Sequence, residues 1–462
     1  MGIAHDPPSA LARNNRHRAG LLVHQRYAQE RPAAREQPTV STPARSSSRL
    51  SAVLIGFGMA FLIAIAATVT YYGVKSVATT ISVDQRQHQL APFYVPPAGW
   101  QTAAVGALLR TAPVEGVPDG GVGWRVLYVS QAADGTKAVS SGLVFAPGPK
   151  GPAAPAQGRT VVAWAHPTVG LGDSCAPSRS ADVEKDVQGL SQFLASGWVV
   201  AATDYAGLGT PGTEQYLVGA AEARDIFNSV RAARQIPQAQ AGTTVALWGH
   251  SQGGQAALWA ADDRSYAPEL SVIGVAAAAP AAELAVLFSH QWSSLVGSLI
   301  GSEVLVSYPT TYPGLSLKDV TTRSAAQVSA LANKCVSSAG LDLLLTQLVG
   351  GSSLLTADPV TVPSWSGPID ANIPAPTTVP TLLIQGLDDP VVIPGSNATF
   401  VTRACAAGTP IDAAFIGALG HVKAGIAGAP LAYTWFQQRL AGIPVTTTCG
   451  TRLPVAALGV AP

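Results

Sequence analysis

The stretch ALWGHSQGGQAALWAA, residues 246 to 261, carries the reading on which the fold turns. The run ending in Leu247 and Trp248 reads as a buried strand, and GQAALWAA as the first turns of a helix. Between them Ser251 is boxed in by Gly249, Gly253 and Gly254. A G-x-S-x-G junction between strand and helix is the pattern of a nucleophile elbow: the serine sits on a strained turn, and small neighbours let two backbones approach. Glycine makes up 46 of the 462 residues, so such a pentapeptide also arises by chance. The surrounding chain has to decide.

Outward from the elbow the texture is an alternation of strands and helices. WRVLYVSQAADGTKAVSSGLVFAP gives two alternating runs about Asp134-Gly135, a hairpin signal. RTVVAWAHP, GWVVAATDYAGLG, SVIGVAAAAP, VPTLLIQGLDD and IDAAFIGALGH are short apolar runs ending in turn residues, as buried parallel strands do. VEKDVQGLSQFLAS and GAAEARDIFNSVRAARQI have helical spacing. The pattern predicts an α/β fold with a mostly parallel sheet covered by helices on both faces. Residues 281 to 375 break the rhythm with the helix-like AAELAVLFSHQWSSLVGSLIGSEVLV and AGLDLLLTQLVGG. An insertion there is expected to form a cap over the C-terminal edge of the strands, where open α/β sheets bind ligands.

The N-terminal region has a different character. Residues 1–49 hold Arg13, Arg16, Arg18, Arg26, Arg31, Arg35, Arg45 and Arg49 against Asp6, Glu30 and Glu36, in a Pro-, Ser- and Ala-rich context without periodicity. LSAVLIGFGMAFLIAIAATVTYYGV, residues 50–74, carries no charge until Lys75. Its length suits a bilayer span, and the arginine flank keeps the N-terminal side cytoplasmic. A signal anchor is expected, with cleavage of a long signal peptide as the alternative; both deliver the following domain outside the cytoplasm. The resulting division is a disordered basic cytoplasmic tail (1–49), a transmembrane segment (50–74) and a linker (75–91). Then come a first part of the core (92–280), the cap (281–375), a second part of the core (376–449) and a C-terminal tail (450–462).

A net charge of +1 gives no case for nucleic acid. The chain has no Walker loop, no G-x-G-x-x-G after a strand and no paired C-x-x-C, so neither a nucleotide cofactor nor a metal is expected. Cys175, Cys335, Cys405 and Cys449 all follow the apolar segment. Four cysteines in an exported domain suggest two disulfides, with three connectivities open.

A serine hydroxyl needs a base, and the base an acid, which on this kind of sheet follow in the order Ser, Asp or Glu, His. Beyond Ser251 the histidines are His290, inside the insertion, and His421, after the last strand. The order selects His421. TLLIQGLDDPVVIP offers Asp388 and Asp389, and the strand–Gly–x–x–Asp spacing selects Asp389. The N–H of Gln252 is the first expected oxyanion donor. The second must come from AWAHPTVGLGDSCAPS, where Pro167 has no N–H, leaving Thr168, with Val169 and Asp173 behind it.

FYVPPAGW, HPTVG and CAPS between His166 and Ser178, DYAGLG at Asp204, GHSQGG at Gly249 and QGLDDPVV at Gln385 together resemble the secretory lipase family. This is the Candida antarctica lipase A-like group of the α/β-hydrolase superfamily, and the likeness is to its actinobacterial branch. It runs from about Phe93 to Cys449. It implies an α/β-hydrolase core with a helical cap, a Ser251–Asp389–His421 triad, and disulfides Cys175–Cys335 and Cys405–Cys449. One departure stands out: relatives often have His-Gly-Thr-Thr-Gly where this chain has His166-Pro167-Thr168-Val169-Gly170. The expected function is a bacterial membrane-anchored, extracytoplasmic serine esterase or lipase acting on ester or lipid substrates. The alternatives are an envelope acyltransferase with the same triad and a catalytically silent binding module.

Overall fold

A computed structural model describes residues 83, 85–336 and 353–461. All but the ends of the chain and 337–352 are thus covered from residue 85 on; the basic tail, the apolar segment 50–74 and the helix expected at AGLDLLLTQLVGG lie outside the described residues. Among the described residues no helix is long and apolar enough to cross a membrane. They all fall in the second of two compact units, residues 78–462.

Among the described residues, nine strands form one sheet in the order β1-β2-β3-β5-β4-β6-β7-β8-β9. They are β1 Leu108–Pro113, β2 Gly121–Gln131, β3 Lys137–Pro147, β4 Arg159–Ala165, β5 Val199–Thr203, β6 Ala241–His250, β7 Ser271–Ala278, β8 Thr381–Gly386 and β9 Ile411–Ile416. β1, β2, β3 and β5 pair antiparallel, and every pairing from β5 to β9 is parallel. The edge strand β1 lies in LLRTAP, which sequence reasoning passed over because its alternation is short and only half-buried.

The period-two burial of the strands explains the layers. Val161, Ala163, Val245 and Leu247 face one apolar core, shared with helices α2 (Gly219–Ala233), α3 (Gln252–Asp262) and α8 (Pro394–Ala406). Val162, Trp164, Ala246 and Trp248 face the other, with α1 (Leu190–Ala195) and α9 (His421–Leu440). VEKDVQGLSQFLAS is not one helix: a turn at Val183–Asp186 and α1 are separated at Gly189, whose φ of 87° breaks the run.

β5 and β6 lie on opposite sides of β4, so the chain reverses its direction of travel across the sheet there. The crevice beyond the strand ends at such a switch is where open sheets place ligands. Between β7 and β8 the chain leaves the sheet to form α4 (Leu284–Gln291), α5 (Leu295–Thr311), α6 (Ala325–Ala332) and α7 (Pro363–Asp370). This insertion builds a third core around Phe288, Tyr308 and Trp365, into which Tyr216 and Leu217 also pack. Its Leu284, Leu287 and Phe288 line a cavity together with Thr168, in the loop after β4, and Ser251, at the end of β6.

Candidate active site

Ser251 joins β6 to α3 with φ 57° and ψ −118°, a conformation rare for an L-residue. A Cβ on Gly249 would lie 2.0 Å from the Gly253 carbonyl oxygen, and one on Gly253 2.0 Å from that of Ala165. Both positions therefore demand glycine. The Ser251 N–H donates to Ala278 O of β7 at 2.9 Å, and the Ser251 carbonyl accepts from Ala281 N at 3.2 Å. The turn is locked to the neighbouring strand.

The Ser251 hydroxyl donates to His421 Nε2 at 2.9 Å, and His421 Nδ1–H donates to Asp389 Oδ2 at 2.8 Å. All three side chains are buried. Asp389 follows β8; its Oδ1 accepts the N–H groups of Val391 and Val392 at 2.8 and 2.9 Å, and Gln385 Nε2 donates to Oδ2 at 3.3 Å. The carboxylate is thus held in one orientation. Asp388 is exposed. His421 is the first residue of α9 rather than part of the preceding loop. His290 is exposed, and its Nε2–H donates to Gly459 O at 3.0 Å rather than to the triad.

Sequence reasoning missed the residues that seat His421. His250 Nε2–H donates to the His421 carbonyl at 3.0 Å, while its Nδ1 accepts from Gln188 Nε2 at 3.3 Å. Burial first, then the His421 ring, pushes the His250 pKa down to about 3, so it is neutral. The motif offered no signal for this, since the x before the serine is a free position.

Gln252 occupies the first position of α3, where a backbone N–H has no intrahelical acceptor. Thr168 lies across the cleft in the loop after β4, its hydroxyl 2.7 Å from that of Tyr216. The Val169 carbonyl accepts from Val336 N and Leu171 N donates to Ala332 O, each at 2.8 Å. A disulfide joins Cys175 of the same loop to Cys335. Asp173 is exposed at the start of a short 3-10 turn. A second disulfide, Cys405–Cys449, closes the segment after α8.

Ser251, Gln252 and Thr168 open on a cavity whose other walls include Leu284, Leu287, Phe288, Val296 and Ile300 of the insertion. The arrangement offers a hydroxyl next to a base, opening on a mostly apolar space. Among the described residues no cluster of three His, Cys, Asp or Glu side chains is arranged to hold a metal ion.

The model of the secretory lipase family matches residues 175–448. A Mycobacterium tuberculosis protein named a probable inactive lipase is 24% identical over 389 residues, covering 77% of this chain and 83% of its own. Lipase A of Arthroderma benhamiae is 24% identical over 394 residues, covering 78% and 81%. The crystal structure of Candida antarctica lipase A superposes with a TM-score of 0.61 at 18% identity, over 79% of this chain and 89% of that one. The rice cell wall degrading esterase LipA of Xanthomonas oryzae gives 0.61 at 21% identity, over 74% and 100%. The fold is that of the α/β-hydrolases.

Proposed function

The chain belongs to the secretory lipase family, and from that premise we propose that it hydrolyses carboxylic esters with apolar acyl groups through an acyl-enzyme on Ser251. The observation that carries this reading is the relay from the Ser251 hydroxyl through His421 to Asp389, with bonds of 2.9 and 2.8 Å. Ser251 Oγ attacks the acyl carbon as its proton passes to His421 Nε2. The oxyanion faces the N–H groups of Gln252 and Thr168. The ester C–O bond then breaks, the alcohol leaving with the proton from His421. Water, giving a proton to the same nitrogen, cleaves the acyl-enzyme, and Ser251 takes that proton back. Asp389 fixes the ring's tautomer and supports its charge.

The insertion supplies an apolar wall and excludes water, which favours lipid-like acyl groups. Residues 281–375 act as the cap, and 50–74 hold the domain to the bacterial membrane on its outer side. The two disulfides support an oxidising compartment. Signal cleavage is the alternative to retention, separated by sequencing the N-terminus of the mature chain.

The name of the M. tuberculosis relative favours a second reading, a chain that kept the fold and lost the chemistry. Against it stands the complete set of hydroxyl, imidazole and carboxylate. Labelling with a fluorophosphonate decides: covalent modification of Ser251, abolished in Ser251→Ala, supports the hydrolase. No labelling of a folded chain overturns it.

A further inference from the structure

Beneath Gln252 lie acidic side chains that take no part in the relay. Glu214, just ahead of α2, and Glu222, in its first turn, are 2% and 1% exposed. Both aim an oxygen at one nitrogen: Gln252 Nε2 donates to Glu214 Oε1 and to Glu222 Oε1, each at 2.8 Å. Glu222 Oε1 also accepts the Leu217 N–H at 2.9 Å. That bond holds Leu217 at φ 55°, in the left-handed region that a branched residue avoids. The adjoining Tyr216 hydroxyl meets Thr168 Oγ1 at 2.7 Å. One carboxyl pair therefore grips the residue after the nucleophile and, through the Tyr216–Leu217 corner, the loop that carries Thr168.

Arg179 lines an opening with Glu214 and Lys137 one with Glu222, but both cations bond elsewhere and neither makes an ion pair with the two carboxyls. The titratable groups acting on the pair are Asp204 after β5, Asp225 of α2, Glu303 of α5 and the phenols of Tyr205, Tyr216 and Tyr308. All are acidic or phenolic. Burial pushes Glu214 up to about 8 and Glu222 well above the usual carboxylate range. Glu222 Oε2 is buried without a hydrogen-bond partner, a position tolerable for a neutral acid and costly for an anion.

We propose that Glu214 and Glu222, both protonated in their buried site, act as a clamp that positions Gln252 and the Thr168 loop for ester hydrolysis, a clamp that loosens when the pair begins to ionise. They are positioning residues, acting through Gln252 and Leu217. The inference rests on the assignment of Ser251, Gln252 and Thr168 given above. It adds two protonated acids that the triad does not use.

The test follows kcat and KM against pH for the full chain on a soluble short-chain p-nitrophenyl ester, beside infrared spectra of the carboxyl region. In the wild type kcat falls as pH rises through about 8 while KM holds. Glu214→Gln displaces that fall upward by about one pH unit or more. Gln252→Leu, which keeps the backbone N–H, lowers kcat about tenfold at neutral pH through lost positioning. At pH 6.5 the wild type shows a protonated-carboxyl band that either Glu214→Gln or Glu222→Gln diminishes. An alkaline fall unmoved in both glutamate variants, or no such band, overturns the clamp. The band needs no turnover, so it tests the protonation of the pair even where failure to label Ser251 has already removed the hydrolase reading.

Discussion

At Ser251 the backbone is held at φ 57° by glycines that cannot be replaced without collision. Gly253→Ala would set a methyl 2.0 Å from Ala165 O, and we expect a loss of about 3 kcal/mol or more in urea unfolding. A variant as stable as the wild type would mean that the elbow is slack. Asp389→Asn keeps the shape but offers an N–H to His421, turning the ring to the wrong tautomer. A fall in kcat on the order of 10⁴-fold with the fold retained is expected from steady-state kinetics and circular dichroism. Both side chains were legible in the sequence because chain order and spacing single them out. Gln385, His250 and Glu214 were not: each acts through a neighbour that only folding supplies.

Between elements, the decisive ties are those joining the loop after β4 to the insertion. Two backbone hydrogen bonds and the Cys175–Cys335 disulfide bind residues 169–175 to 332–336. The other disulfide, Cys405–Cys449, contributes nothing to the cavity lining, and Thr448 beside it donates its N–H to Ile411 O of β9. Each closes a long loop of chain, so removing either is expected to cost about 2–5 kcal/mol of stability. The paired variants Cys175→Ser with Cys335→Ser should in addition lower kcat/KM at temperatures where the protein stays folded. Those at Cys405 and Cys449 should leave it close to the wild type. Equal kcat/KM in the two sets would show that the loop is positioned without its covalent tie. The C-terminal segment adds a latch of the same kind, with Leu458 N donating to Gly395 O at 3.1 Å and Ala461 N to Ser289 Oγ at 2.9 Å.

Over the whole molecule, the buried acids carry a pH signature. Glu214 and Asp225 are pushed up to about 8 and about 7, and Glu222 and Glu303 are raised by burial as well. The folded chain holds these protons where the unfolded chain has released them. The contribution of Glu214 is therefore complete below about 4.5 and is lost as pH rises through about 8, and that of Asp225 is complete below about 3.8 and lost as pH rises through about 7. His250 works in the opposite sense: its contribution is present above 6.5 and is lost as pH falls toward about 3. The urea midpoint should accordingly be higher at pH 6.5 than at pH 8.5, with the difference narrowed in Glu214→Gln. A midpoint flat across that interval would mean that water reaches the acids. By itself the sequence determined the alternation of strands and helices, the elbow at Ser251 and the chain order of hydroxyl, carboxylate and imidazole, because burial period and turn chemistry are written locally. Only the tertiary structure decided that β4 lies between β5 and β6, that His250 bonds the His421 carbonyl, and that two glutamates share one amide nitrogen. Those features depend on which surfaces meet, and a residue's own neighbours in the chain do not record that.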